Sequence, residues 1–166
     1  MQCCFIALGS NQAEPITQVI RAFDELRRIP QSRLLARSSL YRSAPLGPQD
    51  QPAFINAVAM LDTQLEPEAL LDALQDIEQR AGRVRTDERW GPRILDLDLL
   101  LYANRMIDTP RLKVPHYHMH ARSFVLYPLA ELAANLTLPD GTPLQTLLAA
   151  CPPTALERLG DAATRG

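Results

Sequence analysis

Four apolar segments of strand length alternate with two helical segments in the order βαββαβ, and this order constrains the fold more than any other feature. Gln2 to Leu8 is an almost continuous apolar run, as a buried strand requires, and it ends at the turn cluster Gly9-Ser10-Asn11. Pro15 sits near a helix start, followed by Ile16, Val19, Ile20, Phe23 and Leu26 at helical spacing, and Pro30 stops that helix. Arg33 to Arg42, with Leu34, Leu35, Leu40 and Tyr41, reads as one strand near a sheet edge. Phe54 to Leu61 is a third strand. Pro67 opens a second helix with Leu70, Leu74, Ile77 and Ala81 on one face, and Gly82 ends it. Ile94 to Tyr102 is the fourth strand. The order predicts an α+β fold, a ferredoxin-like βαββαβ sandwich with an antiparallel sheet. The remainder from Ala103 carries short helical runs near Tyr127 to Ala134 and Leu144 to Ala149, and is expected to wrap the sandwich as a C-terminal extension of short helices and strands. A single domain is expected over 1–160. The last dozen residues, 161–166 above all, read as a loose tail.

Composition narrows the classes. A chain of 166 residues buries roughly 70% of its unfolded surface, enough for one domain and not for two independent cores. At 46% apolar and 22% charged it is not a disordered chain. No apolar run approaches the roughly 20 residues of a membrane span, and Met1-Gln2-Cys3-Cys4 lacks the basic start of a secretory signal, so a cytoplasmic protein off the membrane is expected. Three cysteines are too few for a disulfide framework. A net charge of −2 argues against a dedicated nucleic-acid binder. Two loops stand out: Ser43 to Pro52, with three prolines, and Arg83 to Arg93.

The most informative stretch is Arg89-Trp90-Gly91-Pro92-Arg93-Ile94-Leu95-Asp96-Leu97-Asp98-Leu99-Leu100-Leu101. Strand alternation puts Leu95, Leu97, Leu99 and Leu101 on one face and Asp96 with Asp98 on the other, their Cα atoms about 6.5 to 7 Å apart. Two carboxylates that close repel unless something positive compensates. They read either as a structural ion-pair cluster, as solvated surface charges, or as a divalent cation site of the kind Mg²⁺ completes with substrate phosphates. Residues 80–93 hold five arginines against Asp87 and Glu88, a local balance of +3 in a chain of −2. A basic loop can simply be solvated. Beside paired carboxylates, it also supplies what a Mg-nucleotide site needs, with metal on one side of the phosphates and guanidinium on the other. No Walker-type glycine loop is present, so such a site has to be built around the sheet.

Gly9-Ser10-Asn11, Tyr41-Arg42 with Pro45-Leu46-Gly47-Pro48 and Gln51-Pro52, Arg83 to Asp98, Val114-Pro115-His116-Tyr117 and Arg122-Ser123-Phe124 together resemble the 6-hydroxymethyl-7,8-dihydropterin pyrophosphokinases of folate biosynthesis. The resemblance covers roughly residues 4–145, with the motifs in one order. It implies a catalytic domain that moves the pyrophosphoryl group of ATP to a pterin alcohol, with AMP leaving. Asp96 and Asp98 would bridge two Mg²⁺ ions against the ATP phosphates. Arg83 and Arg93 would stabilise charge on the transferred group. His116, Tyr117 and Arg122 would contact phosphates from the opposite side, with help from Arg85. Gln75 and Glu78 would turn toward the nucleotide, and Leu99, Arg111, Leu112 and Lys113 would border adenine and ribose. For the pterin, Phe54 and Phe124 would sandwich the ring and Asn56 would meet its polar edge. Ser43, Ala44, Pro45 and Leu46 would complete the hydrogen bonding, and Trp90 would close over the site. The implied partners are ATP and the pterin alone, with no nucleic acid or membrane, and the protein is expected to act as a monomer.

Three positions depart from the family's familiar pattern: Phe54 stands for tyrosine, Ala44 for proline and Thr86 for lysine. None touches the aspartate pair or the two loop arginines, so rate is open to change and reaction is not. Two rival readings remain. His116, His118 and His120 alternate and share a face if extended, which would suit zinc, although no acidic or cysteine ligand lies nearby in sequence. A ferredoxin-like module that binds RNA or a small regulator without catalysis is the other; the central aspartates would repel a phosphate backbone.

Overall fold

The apolar run at the start of the chain forms β1 (Gln2–Ser10), and it lies inside the sheet, antiparallel to β4 (Phe54–Thr63) on one side and β5 (Asp96–Tyr102) on the other. A strand flanked on both edges and covered on both faces has no polar side to show, which is why its sequence barely alternates. The structure is a computed structural model and describes residues 1–12, 14–43, 53–82, 94–116, 119–153 and 156–159. Among the described residues the sheet has six strands, in the order β5-β1-β4-β3-β8, with β3 at Tyr41–Ser43 and β8 at Leu156–Arg158; β2 (Ser32–Arg37) also pairs with β4. A small second sheet joins β6 (Ile107–Asp108) to β7 (Lys113–Val114).

The helices begin and end where sequence chemistry places them. Pro15 opens α1 (Pro15–Arg27) and Pro67 opens α2 (Pro67–Arg80), each in the first turn, where a missing N–H costs nothing. Past the end of α2, Gly82 takes φ +95°, a conformation that side chains with a Cβ resist. Both helices pack on one face of the sheet: Val19, Phe23 and Leu26 of α1 and Leu70, Leu74 and Ile77 of α2 share a core with Ile6, Leu8, Leu61, Leu97 and Leu99. The C-terminal extension covers the other face. There α3 (Ser123–Leu132) and α4 (Leu144–Ala149) bury Val125, Leu126, Leu129 and Leu144 against Phe5, Val58, Leu100 and Leu101. Among the described residues no helix is long and apolar enough to cross a membrane.

Three sequence expectations need correction. The single strand expected over Arg33 to Arg42 is broken into β2 and β3. At the break Ser38 donates its backbone N–H to the Val58 carbonyl at 2.9 Å, while its hydroxyl accepts from the Val58 N–H, also at 2.9 Å. A serine side chain thus replaces one rung of the ladder, the competition with backbone pairing that serine is suited to.

Leu101 does not share a face with Leu95, Leu97 and Leu99. The pairing of β1 with β5 shifts between Phe5 and Ile6, so that Phe5 opposes Leu101 and Ile6 opposes Leu99, leaving Leu100 as the extra residue of a bulge. Beyond the bulge the alternation inverts, and Leu100 and Leu101 both enter the α3 core. Finally, Leu156–Arg158 is a strand of the main sheet and not part of a tail; it pairs with β3, which is therefore not an edge.

Candidate active site

Register places the candidate residues on one surface. Asp96, Gly9, Asn56 and Tyr41 lie in one row across β5, β1, β4 and β3, and Asp98, Ala7 and Val58 form a second row. Opposed residues share a face, so both aspartates lie on the α3 side of the sheet together with Phe54, Asn56 and Ser43. Gly9 keeps the floor of the first row low. A Cβ there would come within 3.4 Å of Asn56 Oδ1 and stand between Asn56 and Asp96.

Asn56 is buried, and its Nδ2 donates to Ser43 Oγ at 2.7 Å, which fixes the amide plane on the floor. Phe54 is half-buried at the end of β4, and Phe124 is half-buried in the first turn of α3. The Arg122 guanidinium lies over the Phe124 ring, 5.6 Å from its centre. The α3 face thus offers aromatic surface from two elements and an oriented amide, the chemistry that holds a flat polar heterocycle.

As the edge strand, β5 has backbone groups that the sheet does not pair, and two of them recruit neighbours. The Leu97 N–H, between the two aspartates, donates to Glu78 Oε2 at 2.8 Å. Glu78 is 2% exposed, so a carboxyl side chain of α2 is buried to hold the strand that carries Asp96 and Asp98. The carbonyl of the bulged Leu100 accepts the His116 N–H at 3.0 Å, which brings His116 Nε2 to 3.9 Å from Asp98 Oδ1. Burial pushes the His116 pKa below its ordinary value; Asp98 opposes that shift and Arg122 adds to it. The shift favours the neutral imidazole.

A cleft of about 410 Å³ opens between α2, β5 and the β6–β7 hairpin. It is lined by Gln75, Glu78, Leu99, Arg111, Leu112, Lys113 and His116, all expected from sequence at a nucleotide, and by Asp98. Leu71, Leu97, Thr109 and Pro110 also line it and were not singled out; Thr109-Pro110 directly precede Arg111, and that adjacency was the available signal. The Arg111 guanidinium bridges the cleft to α2, 2.6 Å from Asp72 Oδ1 and 3.3 Å from Gln75 Oε1. Asp98 belongs both to this cleft and to the α3 face, so the two surfaces meet at the aspartate pair. Ala44, Pro45, Leu46, Arg83, Arg85, Trp90, Arg93 and Tyr117, with His118 of the zinc alternative, lie outside the described residues.

Both aspartates are half-buried and offer only carboxylate oxygens. Among the described residues no three His, Cys, Asp or Glu side chains form a ligand group. A pair of carboxylates on one face of a strand, one of them lining the cleft, is the donor set that Mg²⁺ accepts when phosphate and water oxygens fill its other positions. The residues present fit that ion.

Residues 5–134 match the family model described as 7,8-dihydro-6-hydroxymethylpterin-pyrophosphokinase (HPPK). A 2-amino-4-hydroxy-6-hydroxymethyldihydropteridine pyrophosphokinase of Pseudomonas aeruginosa is 61% identical over 162 residues, covering 98% of this chain and 99% of that protein. The enzyme of the same name from Haemophilus influenzae is 51% identical over 140 residues, covering 84% and 87%. Among solved structures, wild-type HPPK-DHPS of Plasmodium falciparum with pteroate superposes with a TM-score of 0.72 at 12% identity, over 90% of this chain and 42% of that longer one. That likeness carries the fold alone, and the sequence agreement carries the family. The chain belongs to the 7,8-dihydro-6-hydroxymethylpterin-pyrophosphokinase family.

Proposed function

We propose that this chain transfers the pyrophosphoryl group of ATP to the hydroxymethyl oxygen of 6-hydroxymethyl-7,8-dihydropterin, giving AMP and the pterin pyrophosphate in tetrahydrofolate biosynthesis. The observation that carries the reading is the position of Asp98, shared by the cleft beside α2 and the aromatic face under α3. A nucleotide in the cleft and a pterin on the face would meet at the aspartate pair.

Gln75, Leu99, Arg111, Leu112 and Lys113 hold the base and sugar, and the phosphates extend toward Asp98. Glu78 acts through the Leu97 N–H and positions the strand. His116, neutral, offers a ring N–H to a phosphate oxygen, while Tyr117, Arg122 and Arg85 add donors. Phe54 and Phe124 stack the pterin ring, Asn56 reads its edge, and Ser43, Ala44, Pro45 and Leu46 complete the pocket with Trp90 above it. Asp96 and Asp98 would hold two Mg²⁺ ions, which would supply Lewis-acid neutralisation of the phosphate charge. Arg83 and Arg93 stabilise the charge that develops as the hydroxymethyl oxygen bonds to the β-phosphorus and the bond from the β-phosphorus to the AMP oxygen breaks. Alignment and charge stabilisation do most of the catalysis in phosphoryl transfer. The same reading takes the enzyme as a cytoplasmic monomer whose partners are its two small-molecule substrates, with no membrane or nucleic acid involved.

The test is turnover in folded variants. Asp96→Ala or Asp98→Ala nearly abolishes it, whereas Arg83→Ala or Arg93→Ala lowers kcat by about 10² to 10³, as losing a transition-state donor does. Loop-arginine variants with full kcat and weakened ATP affinity alone would show that those residues only bind.

A further inference from the structure

Glu131, near the end of α3, is the one charged residue of an otherwise apolar and neutral ten-residue helix. Its carboxylate faces the sheet and is surrounded by donors. The Ser39 N–H reaches Oε1 at 3.1 Å and the Ser39 hydroxyl reaches the same oxygen at 3.0 Å. The Tyr41 phenol donates to Oε2, and Arg158 Nη2 of β8 lies 3.5 Å from Oε1. Arg158 also donates to Ser39 Oγ through Nε at 3.1 Å and Nη2 at 3.0 Å, so the C-terminal strand closes the cluster. Burial and then Glu131 push the Tyr41 pKa well above the usual phenol value, which keeps the phenol protonated and donating.

The placement of these groups links both walls of the aromatic face. Tyr41 shares its row with Asn56, and Ser43, two residues further along the same face of β3, receives the Asn56 amide. Phe124 lies seven residues before Glu131, two helical turns away and so on the same side of α3. Against the sheet the remaining described contacts of α3 are apolar, through Val125, Leu126 and Leu129, and such contact is not directional; its other polar tie, the Tyr127 hydroxyl donating to the Cys151 carbonyl at 3.0 Å, runs to the segment after α4 and not to β3. Only the Glu131 cluster fixes how the helix sits along and above β3, among the described contacts.

We infer that Glu131 is a positioning residue for the pterin: by clamping α3 to Ser39, Tyr41 and Arg158, it sets the gap between Phe124 and the floor formed by Phe54 and Asn56. This rests on the pterin reading of that face. The Glu131 cluster is separate from the residues that line the nucleotide cleft, so a clamp and a purely structural role differ in what they change.

Fluorescence titration with 6-hydroxymethylpterin tests it, in Mg²⁺ and a saturating ATP analogue carrying a methylene between the α and β phosphorus atoms. The analogue is titrated separately. Glu131→Gln is expected to raise the pterin Kd by about tenfold, as losing a charge-assisted contact that orders a site does. Tyr41→Phe and Arg158→Met move it the same way by less, and nucleotide Kd changes by less than about twofold in all three. Equal weakening of both ligands, or an unchanged pterin Kd in a folded variant, overturns the inference. Should Glu131→Gln fail to fold, Tyr41→Phe decides alone, because it deletes one donor and keeps the ring. Wild-type protein that binds the analogue and no pterin overturns the functional reading itself, and the inference with it.

Discussion

Replacing Glu78 by alanine tests whether the strand carrying Asp96 and Asp98 is held by a buried carboxylate. The side chain is 2% exposed and Oε2 accepts the N–H of Leu97, itself 4% exposed, at 2.8 Å. Leaving a buried N–H without its acceptor costs about 1–3 kcal/mol. The emptied volume adds to that cost, so the net loss is about 2–4 kcal/mol. For a domain of this size that lowers Tm by about 5–15 °C. Glu78→Gln keeps an acceptor at the same place and loses about 1 kcal/mol, or about 2–4 °C. Thermal unfolding of the three proteins without ligand gives the stabilities, and steady-state kinetics gives the rest: kcat falls while KM for ATP holds. A melting point for Glu78→Ala within about 2 °C of wild type would refute the clamp. A rise in KM alone, with kcat unchanged, would make Glu78 a direct nucleotide contact instead.

The remaining predictions concern the ladder break, the buried imidazole and the open floor. Ser38→Ala leaves the buried Val58 N–H without its 2.9 Å acceptor, so unfolding in urea shows a loss of about 1–3 kcal/mol with the unfolding slope unchanged. Burial holds the His116 pKa below 6.5 in the folded state, so the unfolded chain binds more protons between the two values. Stability of the ligand-free protein is therefore complete above pH 6.5 and declines as pH falls through that window; His116→Asn flattens this slope in melting curves taken at stepped pH. Gly9→Val puts a branched side chain beside Asn56 Oδ1 and weakens pterin binding in calorimetry more than nucleotide binding, whereas equal effects on both would show that the row is not the pterin floor.

Much of the fold was legible because it rests on period and punctuation. The helices are marked by Pro15, Pro67 and Gly82, and their stripes at Val19, Phe23 and Leu26 and at Leu70, Leu74 and Ile77 fill one core as the spacing requires. The aspartate pair was legible because strand alternation alone places Asp96 and Asp98 together. The bulge was not. Leu99-Leu100-Leu101 is apolar throughout, and three leucines in a row carry no mark of which one is extra. Nor was the break at Ser38, where a hydroxyl substitutes for a backbone carbonyl, a choice that depends on Val58 twenty residues away. β8 is three residues long and mostly polar, held by edge pairing and by the Arg158 side chain, so neither hydrophobic period nor propensity announces it. Of the candidate site, Gln75 and Glu78 of α2, Leu99 of β5 and Arg111, Leu112 and Lys113 of the β6–β7 hairpin line one cleft, a juxtaposition that the fold makes and that no local pattern in the sequence announces. Glu131 left one trace in the sequence, a lone acid in an apolar helix. Its significance appears only when the sheet brings Ser39, Tyr41 and Arg158 to it.

The most direct test of the account is the identity of the nucleotide product. Wild-type protein is mixed with Mg-ATP and 6-hydroxymethyl-7,8-dihydropterin, and the nucleotides and pterins are separated, with Asp96→Ala as control. The account predicts AMP and pterin pyrophosphate in equal amounts from the wild type and neither from the variant. ADP would mean that the γ-phosphoryl group alone moves, and no pterin-dependent turnover in folded protein would contradict the proposed reaction altogether.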